Sequence, residues 1–182
     1  SIGAKTIAYS EVHDMLRVAD AFGFHLAHVD IRQNSDFHDQ AVAQLLDSAG
    51  LSGEKFLAYT ADEKFEFLDT ELKSNRPFSH PTFELAKNAT TVNDCLNVVA
   101  DHVNKYGTKG IGSFIVSMTR SVNDLLVVYL LARESGLTFM TEEGMVSKIP
   151  VVPLLETIED LENGPEIMQA FLSHPITIRS LA

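Results

Sequence analysis

Short apolar segments alternate with amphipathic helical periods along all 182 residues, and no repeat, low-complexity tract or Pro/Gly-rich linker divides them. That order constrains the fold more than any single residue does. Strands that are apolar on both faces need cover on both sides, which a parallel sheet with crossover helices provides. The expected class is therefore helix-rich α/β.

Ser10 to Phe22 carries Val12, Met15, Ala19 and Phe22 at helical spacing, with Ser10 as N-cap and Gly23 as stop. Phe24 to Gln33 reads as a strand rich in apolar and β-branched residues. Helices are expected over Asp39 to Ser48, Lys64 to Ser74 and Thr91 to Tyr106; Gly50, Asn75-Arg76-Pro77 and Gly107 end them. Gly110 to Met118 is a second strand, and Ser121 opens a helix to Glu134 with Asp124 placed for a capping box. Thr138 to Ser147 reads as irregular, and Ile149 to Leu155 as a third strand. Thr157 then caps an acidic helix, and Pro165 begins a last one reaching Ser173.

Composition narrows the partners. The net charge is −11, and the densest basic stretch, Lys105 to Lys109, holds two cations. Nucleic acid binding draws on clustered Lys and Arg, so it is not expected. The longest apolar run, Leu125 to Ala132, has eight residues against the ~20 of a membrane span, and no signal-peptide pattern opens the chain. A single cysteine, Cys95, excludes an internal disulfide and a thiolate-rich zinc site; its apolar neighbours Leu96, Val98 and Val99 predict a buried position. A cytoplasmic protein that uses neither membrane nor nucleic acid is the expectation.

Two residues stand out chemically. On the first strand, Phe24, Leu26, His28, Asp30 and Arg32 share a face that grows more polar toward its carboxyl end. This is the end where α/β proteins build their sites. Arg32 is either an anion-holding guanidinium or half of a structural ion pair with Asp30 or with an acid on a neighbouring strand. Glu156 follows Pro150 to Leu155, where a strand gives way to a helix. A carboxylate there can ligate Mg²⁺ or Mn²⁺, or can simply complement the helix dipole. Glu159, Asp160 and Glu162 read as a solvated face, and His25 and His28 fall on opposite sides of a strand, which is no metal pair.

Four segments then carry a resemblance. Phe22 to Ser35 resembles the F-G-x-x-L-x-x-x-D-I-R-Q-x-S stretch of phosphoenolpyruvate carboxylases. Leu72 to Pro77 is similar to that family's L-x-S-x-R-P helix end, and Ser117-Met118 with Asp124 to Leu131 to its S-M…D-x-L-x-V-x-L-L segment. Pro153 to Leu161 resembles P-L-F-E-T-x-x-D-L. The motifs come in the family's order at compatible separations. Asn34 stands where the family commonly has Glu, and Leu155 where it has Phe.

The resemblance implies a piece of a (β/α)₈ TIM-type barrel, read as one partial-barrel segment over residues 1–182. It implies carboxylation of phosphoenolpyruvate by bicarbonate to oxaloacetate and phosphate, with Mg²⁺ or Mn²⁺, in a cytoplasmic homotetramer. Arg32 then matches the arginine that contacts the substrate phosphate, and Glu156 the metal-binding glutamate. The family's catalytic histidine, its Y-S-D-S metal segment, and further arginines with a glycine-rich loop have no match here. The isolated chain is therefore expected to be inactive and, with unpaired strand edges, to self-associate. Two other readings remain: a short non-catalytic binding or regulatory module, and a different divalent-metal lyase of a phosphorylated acid, for which Asp30 would be the second metal ligand.

Overall fold

The computed structural model describes residues 4–80 and 82–182. Helical residues α1 (Lys5–Ile7) pass through π-wound turns (Ala8–Val12) into α2 (His13–Phe22). The chain continues as β1 (Val29–Asn34), α3 (Ser35–Ser48), α4 (Gly53–Leu57), α5 (Ala61–Glu71) and α6 (Lys87–Tyr106). Then come β2 (Ile111–Ser117), α7 (Val122–Glu134), β3 (Thr138–Thr141), β4 (Gly144–Ser147), β5 (Val151–Pro153), α8 (Ile158–Ser173) and α9 (Pro175–Leu181). The main sheet has three parallel strands in the order β1-β2-β5, and β3-β4 form a separate antiparallel pair. The α/β class is as expected, with the sheet made of the three expected strands.

Two details of the sheet position the site. Arg32 pairs in register with Ile115, and Ile115 with Val152, so all three strands run level there. Nearer the amino end, two steps of β1 (Val29 to Ile31) face three of β2 (Ile111 to Phe114), a bulge at Gly112-Ser113. The Asp30 carboxylate accepts the Ser113 N–H at 2.8 Å and so occupies the donor that the bulge leaves unpaired.

The core centres on α7, whose residues Leu125 to Ala132 are buried all round. It lies among α3, α5, α6, α8, β3 and β5, which explains an apolar helix without a polar face. Its start is the expected capping box of Ser121 and Asp124. Its end holds a buried ionic clasp. Arg133 donates to the carbonyls of Glu71 and Ser74 at 2.8 and 2.9 Å, and Glu134 accepts the N–H groups of Phe78 and Ser79 at 3.0 and 2.8 Å. The L-K-S-N-R-P segment is thus bound to α7 through its backbone.

Several sequence expectations are corrected. Phe24 to His28 is not strand: Phe24 and Leu26 are exposed, Leu26 has φ 64°, and pairing with β2 begins only at Val29. His25 and His28 therefore do not lie on strand faces at all. Ser10 is inside the π-wound turns and donates to the Thr6 carbonyl at 2.8 Å rather than capping a helix. The stretch read as irregular is the β3-β4 hairpin, with Gly144 at φ 120°. Pro165 lies within the continuous α8, and α9, with Pro175 at its first turn, follows Ser173. Helix α4 was not expected. Cys95 is exposed, because the buried stripe of α6 is Val92, Leu96 and Val99.

Candidate functional site at the carboxyl ends of the sheet

Arg32 is placed by strand alternation: Ile31 packs toward the core, so Arg32 projects from the other face of β1. Glu156 is placed from three sides. Leu154 N–H extends the β2-β5 ladder to the Val116 carbonyl at 2.8 Å. Leu155 lies against Gly164 so closely that a Cβ there would come within 2.7 Å of its Cδ1. Glu156 and Thr157 both donate their N–H groups to Asp160 Oδ2 at 3.0 Å, within the capping box that opens α8. These N–H groups hold the Asp160 carboxyl below its usual range, so Asp160 is a cap rather than part of a solvated face.

The two expected site residues meet. Arg32 Nη2 lies 2.8 Å from Glu156 Oε1, joining residues 124 apart in sequence. Their side chains are 57% and 32% exposed, and a pair so open contributes about 0–1 kcal/mol. Arg32 is an ion-pair partner in this structure, but the acid is neither Asp30 nor on an adjacent strand: it lies beyond β5. Asp30 is occupied at the β2 bulge and does not join Glu156. Among the described residues no group of three or more His, Cys, Asp or Glu is arranged to hold a metal ion.

Three residues to which the sequence reading gave no role, Met118, Ser35 and Ser117, complete the arrangement. Met118 follows β2 in the left-handed region, at φ 57°, and its N–H donates to Glu156 Oε2 at 3.2 Å. Its carbonyl accepts the Ser35 hydroxyl at 2.7 Å. Ser117 in turn donates to the Gln33 carbonyl at 3.3 Å, so the ends of β1 and β2 are tied in both directions. Ser35 and Ser117-Met118 stand in the matched motifs, which was the available signal.

A second arginine, Arg120, follows the carboxyl end of β2 but is differently committed. It donates to Asp124 through Nε and Nη2, to Asp39 through Nη2 and to Asp36 through Nη1. Asp124 above all, then Asp36 and Asp39, hold its guanidinium protonated well beyond the ordinary arginine range. Three carboxylates engage Arg120, whereas Arg32 has one acidic partner, Glu156.

The segment is thus α/β, with a cation and a carboxylate paired at the carboxyl ends of its parallel strands. Comparison with known proteins makes this specific. The family model described as phosphoenolpyruvate carboxylase matches residues 1–182, and the chain belongs to that family. It is 37% identical over 155 residues to a phosphoenolpyruvate carboxylase of Mycolicibacterium paratuberculosis, covering 85% of this chain and 16% of the relative. The enzymes so named from Rhodothermus marinus and Bradyrhizobium diazoefficiens are 37% and 36% identical, covering 96% and 95% of this chain but 19% and 18% of theirs. The chain thus spans less than a fifth of the length of these curated relatives.

Proposed function

We propose that this segment contributes βα units of a TIM-type barrel to a longer phosphoenolpyruvate carboxylase, and that Arg32 and Glu156 are its contribution to the active site. The observation that carries the reading is the Arg32–Glu156 contact of 2.8 Å at the carboxyl ends of the strands. Arg32 presents guanidinium donors to the substrate phosphate, a charge-assisted geometry suited to a dianion. Glu156 fits a divalent cation in kind, as a hard oxygen donor, but supplies one ligand. The remaining ligands come from other parts of the enzyme. Bound Mg²⁺ or Mn²⁺ supplies positive charge for the enolate oxygen.

In the reaction, a bicarbonate oxygen attacks the phosphoryl group of phosphoenolpyruvate, and the bond to the enol oxygen breaks. Carboxyphosphate and pyruvate enolate result. Carboxyphosphate releases carbon dioxide and phosphate, and the enolate carbon captures the carbon dioxide as oxaloacetate. Arg32 holds the phosphoryl oxygens through the first step, so its removal weakens both substrate binding and phosphoryl transfer. A cytoplasmic homotetramer is the setting in which this family reading places the segment.

The test follows the Arg32 guanidinium by ¹⁵N NMR during titration with phosphoenolpyruvate, with and without Mn²⁺, in the 182-residue chain. A substrate-dependent shift at Arg32 is expected, together with weak Mn²⁺ broadening centred on Glu156, the single ligand present, that needs excess metal and is lost in Glu156→Gln. Shifts confined to Arg120 would overturn the assignment. Oxaloacetate formation by the chain alone would overturn the claim that its site is partial.

A further inference from the structure

The pairing of Arg32 with Glu156 does not explain why the neighbouring backbone is strained. Met118 has φ 57°, a conformation that costs a non-glycine residue roughly 1–2 kcal/mol. Nothing about its side chain requires this, since Met118 is substantially exposed. Its two backbone groups explain it. Turned left-handed, the residue directs its N–H to Glu156 Oε2 and its carbonyl to the hydroxyl of Ser35, which is buried at the start of α3.

We propose that Ser35 is a positioning residue for the Arg32–Glu156 pair: its hydroxyl holds Met118 left-handed, and the Met118 N–H in turn fixes the carboxylate. The proposal rests on the reading of Arg32 and Glu156 as site residues. A connected chain runs from α3 through the end of β2 to the residue after β5, and it closes back onto β1 through Arg32. Ser35 touches neither charged side chain. It acts by setting the direction of one amide. The reciprocal bond from Ser117 to the Gln33 carbonyl keeps β1 and β2 level while this happens. The carboxylate is thereby aimed without spending a side chain that would crowd the open sheet face.

The geometry separates the backbone of Met118 from its side chain, and the test uses that. Amide hydrogen exchange at Met118 and the Arg32 guanidinium signal are followed by NMR in the 182-residue chain, without metal or substrate. Ser35→Ala speeds exchange at Met118 about five- to tenfold, the loss of one hydrogen bond, and collapses the Arg32 signal toward that of a free guanidinium. Ser35→Thr, which keeps the hydroxyl, restores both. At the exposed position itself, Met118→Gly keeps the Glu156 contact, and Met118→Val, β-branched and poorly tolerated at positive φ, releases it. This second pair decides the matter should Ser35→Ala not fold. Unchanged exchange and an unchanged Arg32 signal in Ser35→Ala, or equal behaviour of the Gly and Val variants, overturns the proposal. So does faster exchange spread evenly over β1, β2 and α7, which marks general loosening. Because no metal or substrate is needed, failure of Mn²⁺ to broaden Glu156 counts against the functional reading alone.

Discussion

Adding one methyl group at Gly112 tests what Asp30 does. A Cβ built there would lie 2.0 Å from Asp30 Oδ1 and 3.1 Å from Cγ, so Gly112→Ala forces the carboxylate off the bulge. Asp30 is exposed and free to rotate away, and the effect is therefore loss of the 2.8 Å bond from Ser113 N–H. Loss of that bond costs about 1 kcal/mol. Against it stands a gain of roughly 0.5–1 kcal/mol from replacing glycine within a strand. Gly112→Ala alone is therefore nearly neutral to slightly destabilising. With Asp30→Ala already present the bond is gone, and the same methyl stabilises by its full ~0.5–1 kcal/mol. The coupling in the double-mutant cycle is thus about 1 kcal/mol, above the ~0.3–0.5 kcal/mol scatter of additive pairs. Urea unfolding of the four proteins measures it. Equal effects of Gly112→Ala in both backgrounds would refute the assignment of Asp30 to the bulge and return it to consideration as a metal ligand.

Glu134→Ala removes the acceptor of the part-buried Phe78 and Ser79 N–H groups, while Arg133 keeps Glu71 and two carbonyls; destabilisation of about 1–3 kcal/mol in urea melts is expected. A loss below 1 kcal/mol would show that this loop carries its own support. His38 is fully buried with both ring nitrogens unpartnered, and burial lowers its pKa from 6.5 to about 4. The unfolded chain takes up a proton first, so stability falls as pH drops through that window, by roughly 3 kcal/mol in all. Thermal melts of His38→Phe between pH 7 and 4 show a flatter profile; the slope that remains comes from His174, whose pKa burial lowers, and from the cap carboxylates Glu63 and Asp160, held low by their N–H donors. Sedimentation of the 182-residue chain is expected to show self-association through the unpaired edges of β1 and β5, with exposed Tyr9, Met15, Val18, Phe24 and Leu26 adding apolar surface; a clean monomer at micromolar concentration contradicts this.

Sequence pattern served best where one local rule decided the structure. The capping box at Ser121 and the cap at Thr157 are readable because donor and acceptor lie three residues apart, and both are present, although Asp160, the other half of the Thr157 box, was read as part of a solvated face. The strand carrying Arg32 was read five residues too early, since apolar alternation persists from Phe24 although the partner strand begins pairing only at Val29. Strand limits belong to the pair, not to either member. The β3-β4 hairpin escaped notice because its turn, Glu142-Glu143, lacks the usual Asn-Gly or Asp-Gly signature. At the site, residue identity pointed to Arg32 and Glu156 separately. Their contact, and the left-handed Met118 between them, depend on how three strand ends meet, which no local window contains.

The span between Arg32 and Glu156 also has a kinetic meaning. Their contact closes a loop of 124 residues that includes β2, β3, β4, β5 and helices α3 to α7. Closing a loop this long carries an entropic barrier that grows with the logarithm of its length, so such contacts form late relative to helices and hairpins. A nascent or partly unfolded chain can hold its helices and still lack this pair. The guanidinium–carboxylate contact is consequently a reporter of long-range assembly: a probe at Arg32 registers the meeting of β1 with the residue after β5, while helical circular dichroism registers local events.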